Sequence, residues 1–498
     1  MTSAALPDSH LPGVTLTAVR GDSAPEPLRT DVAAFLGRTR RGPVATPVRV
    51  ENWNEVVGAF GPPDGSAATP YALRGFFENG GRTAWVLRVA GRGATASVPW
   101  RVGDARFAVV ATSPGAWANG GRVVLTYQAS SVAGPPAITV RVLVAGEAAE
   151  VFANISPADL GTRLAASRLI RLVPPEVGDA FDHVEGISTS WDLVLAGGTD
   201  VDPVRADYAA AVSAQADLTE PALVALPDVG ADILGADHTG LLADTLATCA
   251  PLLDRLVLLD VPSRLSTVDD VLGWVRSLTD LGDEALLAAA AVYHPRLRVP
   301  ELTGPGLRTV AASGHVAGLI ARLDAERGAH HSPANAVLLD AVDLGVEYPV
   351  PQQVRLFEAN VDLVRCLRGR GLVVWGVRTL SGDPRRRYVA HRRLLHLLVR
   401  AIRRAAAPLV FEVNSPELRL GLVRAITSVL LEAFRTGALA GARPEQAFRV
   451  VCDDSNNPPE QDPGQLVCEV EVAPVAPMEF IQLRLVLGQD RGVEVIES

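Results

Sequence analysis

Between Ala222 and Leu281 two short apolar runs alternate with two amphipathic segments, and no other pattern in the chain restricts the fold as much. Ala222–Leu226 and Leu256–Val261 have the length and composition of strands buried on both faces. Asp237–Cys249 and Val268–Leu281 carry apolar residues at helical spacing. Strands and helices in alternation mean an α/β arrangement, and it extends from Trp191 to about Gly345. Pro295–Arg308 and Glu326–Asn335 interrupt it as irregular stretches rich in Pro, Gly and His.

Elsewhere the pattern differs. Ala94 to about Ser190 reads as β, with β-branched runs at Phe107–Ala111, Arg122–Gln128 and Ile138–Val144 set between Gly, Pro and Asn. Asp31–Gly37 and Arg82–Val89 read as strands, and Trp53–Phe60 and Tyr71–Asn79 as helices, together a small α+β unit. In the C-terminal part Asp383-Pro384 supplies an N-cap and a first-turn Pro for a helix running to about Ala407. Ser415-Pro416 repeats the device for a helix ending at Gly437. Leu372–Arg378, Leu409–Val413, Phe448–Cys452, Leu466–Val472 and Phe480–Leu487 read as strands. Two extended segments have no local partner and must pair elsewhere in the fold or with another chain. One is Gly13–Val19, where Val14, Leu16 and Ala18 alternate with Thr15, Thr17 and Val19. The other is the tail Gly492, Val493, Glu494, Val495 and Ile496.

At 498 residues, the chain has room for roughly three domains. It contains no lysine, so all 46 basic residues are Arg. A phosphate-binding loop of the Walker type and Schiff-base chemistry both need a Lys amine, so those classes are excluded. No window offers the roughly 20 uninterrupted apolar residues of a membrane helix, and the start lacks the basic and apolar regions of a signal peptide. The four cysteines are scattered with no CxxC pair, which reads as a reducing cytoplasm. The net charge of −10 is an uneven sum: Glu176–Glu284 holds 21 acidic residues against 4 Arg, and Arg365–Arg404 holds 12 Arg against one Asp.

Two C-terminal helices repay a helical projection at about 100° per residue. On the first, Tyr388, Leu394, Leu395, Leu398, Val399 and Ile402 share one side. Arg385, Arg386, Arg392, Arg393, Arg400, Arg403 and Arg404 form a cationic stripe on the other. With a pI near 5.5 and no interleaved aromatics, an acidic protein partner or a solvated face fits this stripe better than nucleic acid. On the second, Leu418, Leu422, Ile426, Val429 and Leu430 continue through Val423, Phe434, Leu420 and Leu431, wider than a one-sided surface helix requires. That helix is either sandwiched in its own domain or partly covered by another subunit.

Catalytic constellations are not found. None of the nine His gives an HExxH or a Cys-plus-His metal pattern. There is no GxSxG elbow and no GxGxxG in strand–turn–helix context. Gly197-Gly198-Thr199-Asp200 is compatible with an anion-binding turn but is more often just a loop, and Ser313-Gly314-His315 lacks an identifiable orienting acid.

Several stretches do resemble a known family. PGVTLTAV (Pro12–Val19), VAAFLGRTRRGP (Val32–Pro43), YALRGFFENGGRTAWVLRV (Tyr71–Val89), SPGAWANG (Ser113–Gly120), AGGTD (Ala196–Asp200) and SGHVAGLIARLDAERGAHHSPAN (Ser313–Asn335) are similar to segments of contractile phage tail sheath proteins. So are GRGLVVWGVRTLSGDPRRRYVAHRRL (Gly369–Leu394), GALAGARPEQAF (Gly437–Phe448) and EVEVAPVAPMEFIQLRL (Glu469–Leu485). The chain departs from the family pattern at Leu356–Val361 and at Ala311-Ala312, both loop-like places.

The resemblance implies an α+β multidomain sheath subunit of a phage-like contractile injection system. It would form helically stacked six-fold rings around an inner tube and contract to drive the tube through a target envelope; the alternative is a non-contractile coat of a tail-like particle. Expected units are an N-terminal arm and linker (1–30), the N-terminal part of the inner domain (31–93), a β-rich insertion (94–190), an α/β insertion (191–345), the C-terminal inner domain (346–487) and a C-terminal arm (488–498). The arms, Gly13–Val19 and Gly492–Ile496, would add strands to neighbouring subunits. The acidic Glu176–Glu284 block would face outward. Tube-facing candidates are Glu417, Arg424, Ser428 and Arg435 on one helix, and Arg392, Arg393, Arg400, Arg403 and Arg404 on the other. The implied partners are neighbouring sheath subunits, the inner tube protein, and baseplate and terminal cap proteins. No catalysis, cofactor, metal, nucleic acid or membrane insertion is expected, and assembly would occur in the bacterial cytoplasm.

Overall fold

Val32–Gly37 (β1) is buried along its whole length, and a large sheet is arranged about it. Its alternate side chains go to opposite faces, Ala33 and Phe35 into one core and Ala34 and Leu36 into another. The computed structural model describes residues 28–103, 105–129, 135–173, 188–231, 234–409, 412–458, 465–475, 481–488 and 492–497. The expected N-terminal arm, Gly13–Val19, lies outside them.

After β1 come Val48–Val50 (β2), helices Trp53–Phe60 (α1) and Thr69–Glu78 (α2), and Thr83–Arg88 (β3). The chain then leaves the sheet for seven strands: Ser97–Val102 (β4), Ala105–Ala111 (β5), Arg122–Gln128 (β6), Ala137–Leu143 (β7), Glu150–Ile155 (β8), Ile170–Val173 (β9) and Thr189–Val194 (β10). It returns through Arg205–Ala216 (α3), Leu223–Ala225 (β11), His238–Cys249 (α4), Leu256–Leu259 (β12), Val268–Thr279 (α5) and Ala290–His294 (β13). Leu297–Pro300 (β14), Leu307–Val310 (β15), Ser313–Arg327 (α6), Asp343–Leu344 (β16), Val350–Glu358 (α7), Val361–Leu367 (β17) and Gly371–Trp375 (β18) complete this unit. A C-terminal unit follows: Val389–Ala406 (α8), Pro416–Arg435 (α9), Phe448–Val451 (β19), Gln465–Val472 (β20), Ile481–Gly488 (β21) and Gly492–Glu497 (β22).

The large sheet runs β18-β17-β13-β12-β11-β1-β3-β2. Its six inner strands are parallel and only the edge strands β18 and β2 are antiparallel. One face is covered by α1, α2, α6 and the small β15-β14-β16 sheet, through Phe60, Phe76, Val316, Leu297 and Leu344. The other is covered by α3, α4, α5 and α7, through Tyr208, Leu246, Val271 and Leu356. The seven-strand insertion forms two sheets, β4-β5-β9 and β10-β6-β7-β8, around one shared core that includes Trp100, Val109, Leu125 and Val140. In the C-terminal unit α8 and α9 pack on β19-β20-β21-β22 through Leu398, Ile402, Leu422, Ile426, Cys468 and Val470.

This arrangement corrects several expectations. The α/β unit is not confined to 191–345: β1 and β3 lie in the same sheet as β11–β13, and β17 and β18 extend it to Trp375. The 31–93 segment therefore lies wholly within this unit and the domain boundary falls inside the 346–487 segment, because strands far apart in sequence share one hydrogen-bonded ladder. Pro295–Arg308 is not irregular but contributes two strands. The first C-terminal helix begins at Val389, since Asp383 closes a local turn on the Arg385 and Arg386 amides instead. Ala407–Leu409 continues that helix as a 3₁₀ turn, so the strand expected over Leu409–Val413 does not begin at Leu409, whereas Ser415 caps α9 as the pattern implied. The tail strand β22 pairs antiparallel with β21 of its own chain, Leu485 opposite Val495.

Helices α2 and α6 cross at glycine contacts. A Cβ on Gly314 would lie 2.3 Å from the Ala72 carbonyl oxygen, and one on Gly318 would lie 2.2 Å from that of Phe76. Backbone cannot yield as a side chain can. Gly318→Ala should therefore destabilise the chain by about 1–3 kcal/mol, read as a lower urea midpoint at unchanged m-value.

Candidate assembly interface

The two ends of the parallel strands are closed by different sets of buried groups. Open α/β sheets commonly bind ligands in the crevice beyond the carboxyl ends of their strands, next to helix N-termini. Here the chain's own carboxylates fill those positions. Asp228, just past β11, accepts from the Arg38 amide at 2.6 Å, the Ala68 amide at 2.6 Å and the Thr69 hydroxyl at 2.6 Å, at the start of α2. Asp260, just past β12, accepts from the Ser313 amide at 3.1 Å and its hydroxyl at 2.5 Å, at the start of α6. Burial raises both carboxyls, Asp260 to about 6, against the opposing pull of those hydrogen bonds. Both belong to the acidic block expected to face outward, as does buried Asp254.

At the amino ends of the strands the groups are cationic. Arg393 of α8 forms a forked pair with Asp324 of α6, at 3.0 and 2.5 Å, and donates to the Thr30 carbonyl at 2.6 Å. Arg400 donates to the carbonyls of Arg29 at 2.8 Å and Glu220 at 2.9 Å, and also to that of Pro221. Arg403 reaches the Leu252 carbonyl at 2.7 Å. These acceptors lie just upstream of β1, β11 and β12, where strand ends leave backbone oxygens outside the ladder. Burial lowers Arg400 to about 10, so it stays charged at neutral pH. The row of arginines is thus the joint between the C-terminal unit and the α/β unit.

The rest of the C-terminal unit is open. On α9 only Leu422, Ile426 and Leu430 are buried, while Glu417, Arg424, Ser428 and Arg435 are exposed along the opposite face. Leu420 beside them is 50% exposed. In the four-stranded sheet the terminal positions belong to β19 and β22. Among the described residues no group of His, Cys, Asp and Glu is placed to hold a metal ion, and no helix is long and apolar enough to cross a membrane.

No family model matches the chain. A stretch of 251 residues, 49% of the chain, is 27% identical to the tail sheath protein of Enterobacteria phage T4 and spans 37% of that relative. The chain thus matches little more than a third of the length of this curated relative. The crystal structure of a sheath tail protein from Desulfitobacterium hafniense superposes over 95% of this chain and 100% of its own, with a TM-score of 0.64 at 16% identity. The chain has the tail-sheath fold. The helical sheath of the anti-feeding prophage in its contracted state also aligns, over 94% of this chain and 98% of its own, with a TM-score of 0.53 at 21% identity.

Within this tail-sheath fold the two sets of tube-facing candidates separate. Arg392, Arg393 and Arg400 are buried, and the acidic partner expected outside the chain is its own Asp324. Arg403 is half-buried against the Leu252 carbonyl, and Arg404 alone of the five is exposed. Helical projection marks the stripe as one face of the helix but cannot distinguish water or a separate partner from a neighbouring unit's carbonyl rim. Asp228, Asp260 and Asp324 were not singled out from sequence, although an acid at the end of a buried-strand run is a usable signal.

Two measurements probe these groups. Arg393→Met leaves the Asp324 carboxylate buried and unpaired and should cost roughly 3–5 kcal/mol, with much of that recovered in the Arg393→Met, Asp324→Leu double variant, both read by urea unfolding. Asp260 keeps its proton to higher pH when folded than when unfolded, so its ionisation removes stability as pH rises from about 4 to about 6. Relative to Asp260→Asn, the native chain should lose up to about 3 kcal/mol across that window. Buried His294, His315 and His396, all held neutral by burial, work in the opposite direction and cancel in that comparison.

Proposed function

We propose that this chain is the sheath subunit of a contractile tail-like particle, stacking as hexameric rings around an inner tube and shortening to drive that tube through a target envelope. The observation that carries the reading is the end-to-end structural match to a sheath tail protein, joined by sequence similarity to a phage tail sheath protein. Likeness to a sheath in its contracted state favours shortening over a static coat. The work would come from repacking between two arrangements of one subunit mesh, which calls for no nucleotide site. The self-filled crevice at Asp228 and Asp260 agrees with that economy.

The exposed α9 face, with Glu417, Arg424, Ser428 and Arg435, is the proposed tube contact; its polar character suits a contact that must break when the sheath widens. The segment Gly13–Val19, and Gly492–Ile496 by exchange out of its own-chain pairing with β21, are proposed to link neighbouring subunits, and the end rings to meet the baseplate at one end and a terminal cap at the other.

Deleting residues 492–498 should leave a folded chain that sediments as a monomer, while the full chain forms helical sheaths under electron microscopy. Regular sheaths from the truncated chain would overturn the arm assignment. A single sheath length under every trigger would assign the particle to the non-contractile class. Arg424→Glu with Arg435→Glu should change unfolding free energy by no more than about 0.5 kcal/mol while reducing co-sedimentation with the inner tube.

A further inference from the structure

Strands β19 and β20 bring two thiols together that the sequence scatters. Their register pairs Val451 with Glu469 and Phe448 with Val472, so the next position along places Cys452 opposite Cys468. The ladder also fixes which kind of pair this is. The Ala473 amide donates to the Ala447 carbonyl at 2.8 Å, which marks that pair as hydrogen-bonded. Bonded and non-bonded pairs alternate along an antiparallel ladder, so 449/471 and 451/469 are bonded and 452/468 is not.

One position further on, the chain leaves the ladder, and the carboxamide of Asn457 replaces the missing strand. It accepts from the Val467 amide at 2.6 Å and donates to the Val467 carbonyl at 2.8 Å. The groups left by an absent bonded partner are thus satisfied, as the alternation requires. Non-bonded pairs bring their Cα atoms to about 4.5 Å, with side chains on the same face. That spacing lies inside the roughly 4.4–6.8 Å that a disulfide spans. Both thiols are reduced and buried in the C-terminal core, Cys452 8% exposed and Cys468 fully covered.

We propose that Cys452 and Cys468 are a redox modification site, forming a cross-strand disulfide when the chain meets a peroxide oxidant. Cys452, on the strand at the sheet's end, is the attacking thiol. Its hydrogen bond with Cys468 and the nearby Arg419 guanidinium of α9 favour its thiolate against the opposing effect of burial, while the same hydrogen bond and burial hold Cys468 protonated. The Cys452 thiolate takes an oxygen from hydrogen peroxide to give the sulfenic acid and releases hydroxide. The Cys468 sulfur then attacks that sulfur, the S–S bond forms, and the sulfenic oxygen leaves as water with the Cys468 proton. The product ties β19 to β20 across the intervening 453–467 segment and so fixes one end of the C-terminal sheet.

The test uses the full chain, reduced, freed of reductant, treated with hydrogen peroxide, then denatured, alkylated and digested for mass spectrometry. The expected product is a Cys452–Cys468 cross-linked peptide lighter by two hydrogen atoms than the sum of its parts, with Cys249 alkylated. Closing a loop of this length should also make the unfolding equilibrium constant of the C-terminal unit roughly a hundredfold smaller in the oxidised form. Recovery of Cys452 and Cys468 as alkylated peptides while exposed Cys366 is oxidised would overturn the proposal. So would loss of the cross-link in Cys366→Ser, which would mean that it arises by exchange through another chain.

Discussion

Arginine forks seated on backbone carbonyls hold the C-terminal unit to the α/β unit, and the rest of the architecture depends on that joint. Arg393 and Arg400 each bridge several acceptors on separate segments of the sheet's amino edge. A buried cation is costly unless its donors are met, and a planar guanidinium can meet several carbonyls at fixed angles where an ammonium acts as a point charge. The lysine-free composition therefore has a structural use here. Helix α8 presents its apolar side to the β19–β22 sheet and its cationic side to the strand ends, so a single helix serves two cores.

The opposite edge is closed in the complementary way. Asp228 and Asp260 occupy the helix N-termini that such a sheet offers to anions. Buried carboxylates lead at the carboxyl rim, with Arg296 beside Asp260, and arginines paired with Asp324 and Asp254 lead at the amino rim, so backbone groups left over by the ladder are met inside the chain. What remains open is peripheral: the outer face of α9, the ends of the C-terminal sheet and the β-rich insertion. That distribution agrees with the proposed self-assembly.

Several local elements were legible in the sequence to within a few residues, whereas helices α3, α6 and α7 and strand β17 were not. Trp53–Phe60 follows directly from its apolar spacing, and the Ser415-Pro416 device marks the start of α9. The sheet's membership was not legible. β1 and β11 are separated by nearly two hundred residues, and nothing in either run names the other as its neighbour. The arginine stripe was visible as a pattern but not as a joint, because the carbonyls it meets carry no sequence signal. Asp383-Pro384 misled for a related reason: Asp caps a turn as readily as a helix, and at this position the turn prevails. The Cys452–Cys468 pairing depends on a strand register that spacing alone leaves undetermined.

The hairpin of β21 and β22 has a consequence for assembly. Its ladder bonds join residues of one chain, Gly488 with Gly492 through Leu483 with Glu497. A neighbour's β21 offers an identical template. Exchanging one partner for the other breaks and remakes the same bonds, so the enthalpy of the ladder nearly cancels. The balance between a closed subunit and a linked one is then set by the local concentration of neighbouring chains and by the connection at 489–491. In the proposed assembly an isolated chain would keep its own β21 paired, and a growing end, where neighbours are held close, would be where opening becomes favourable.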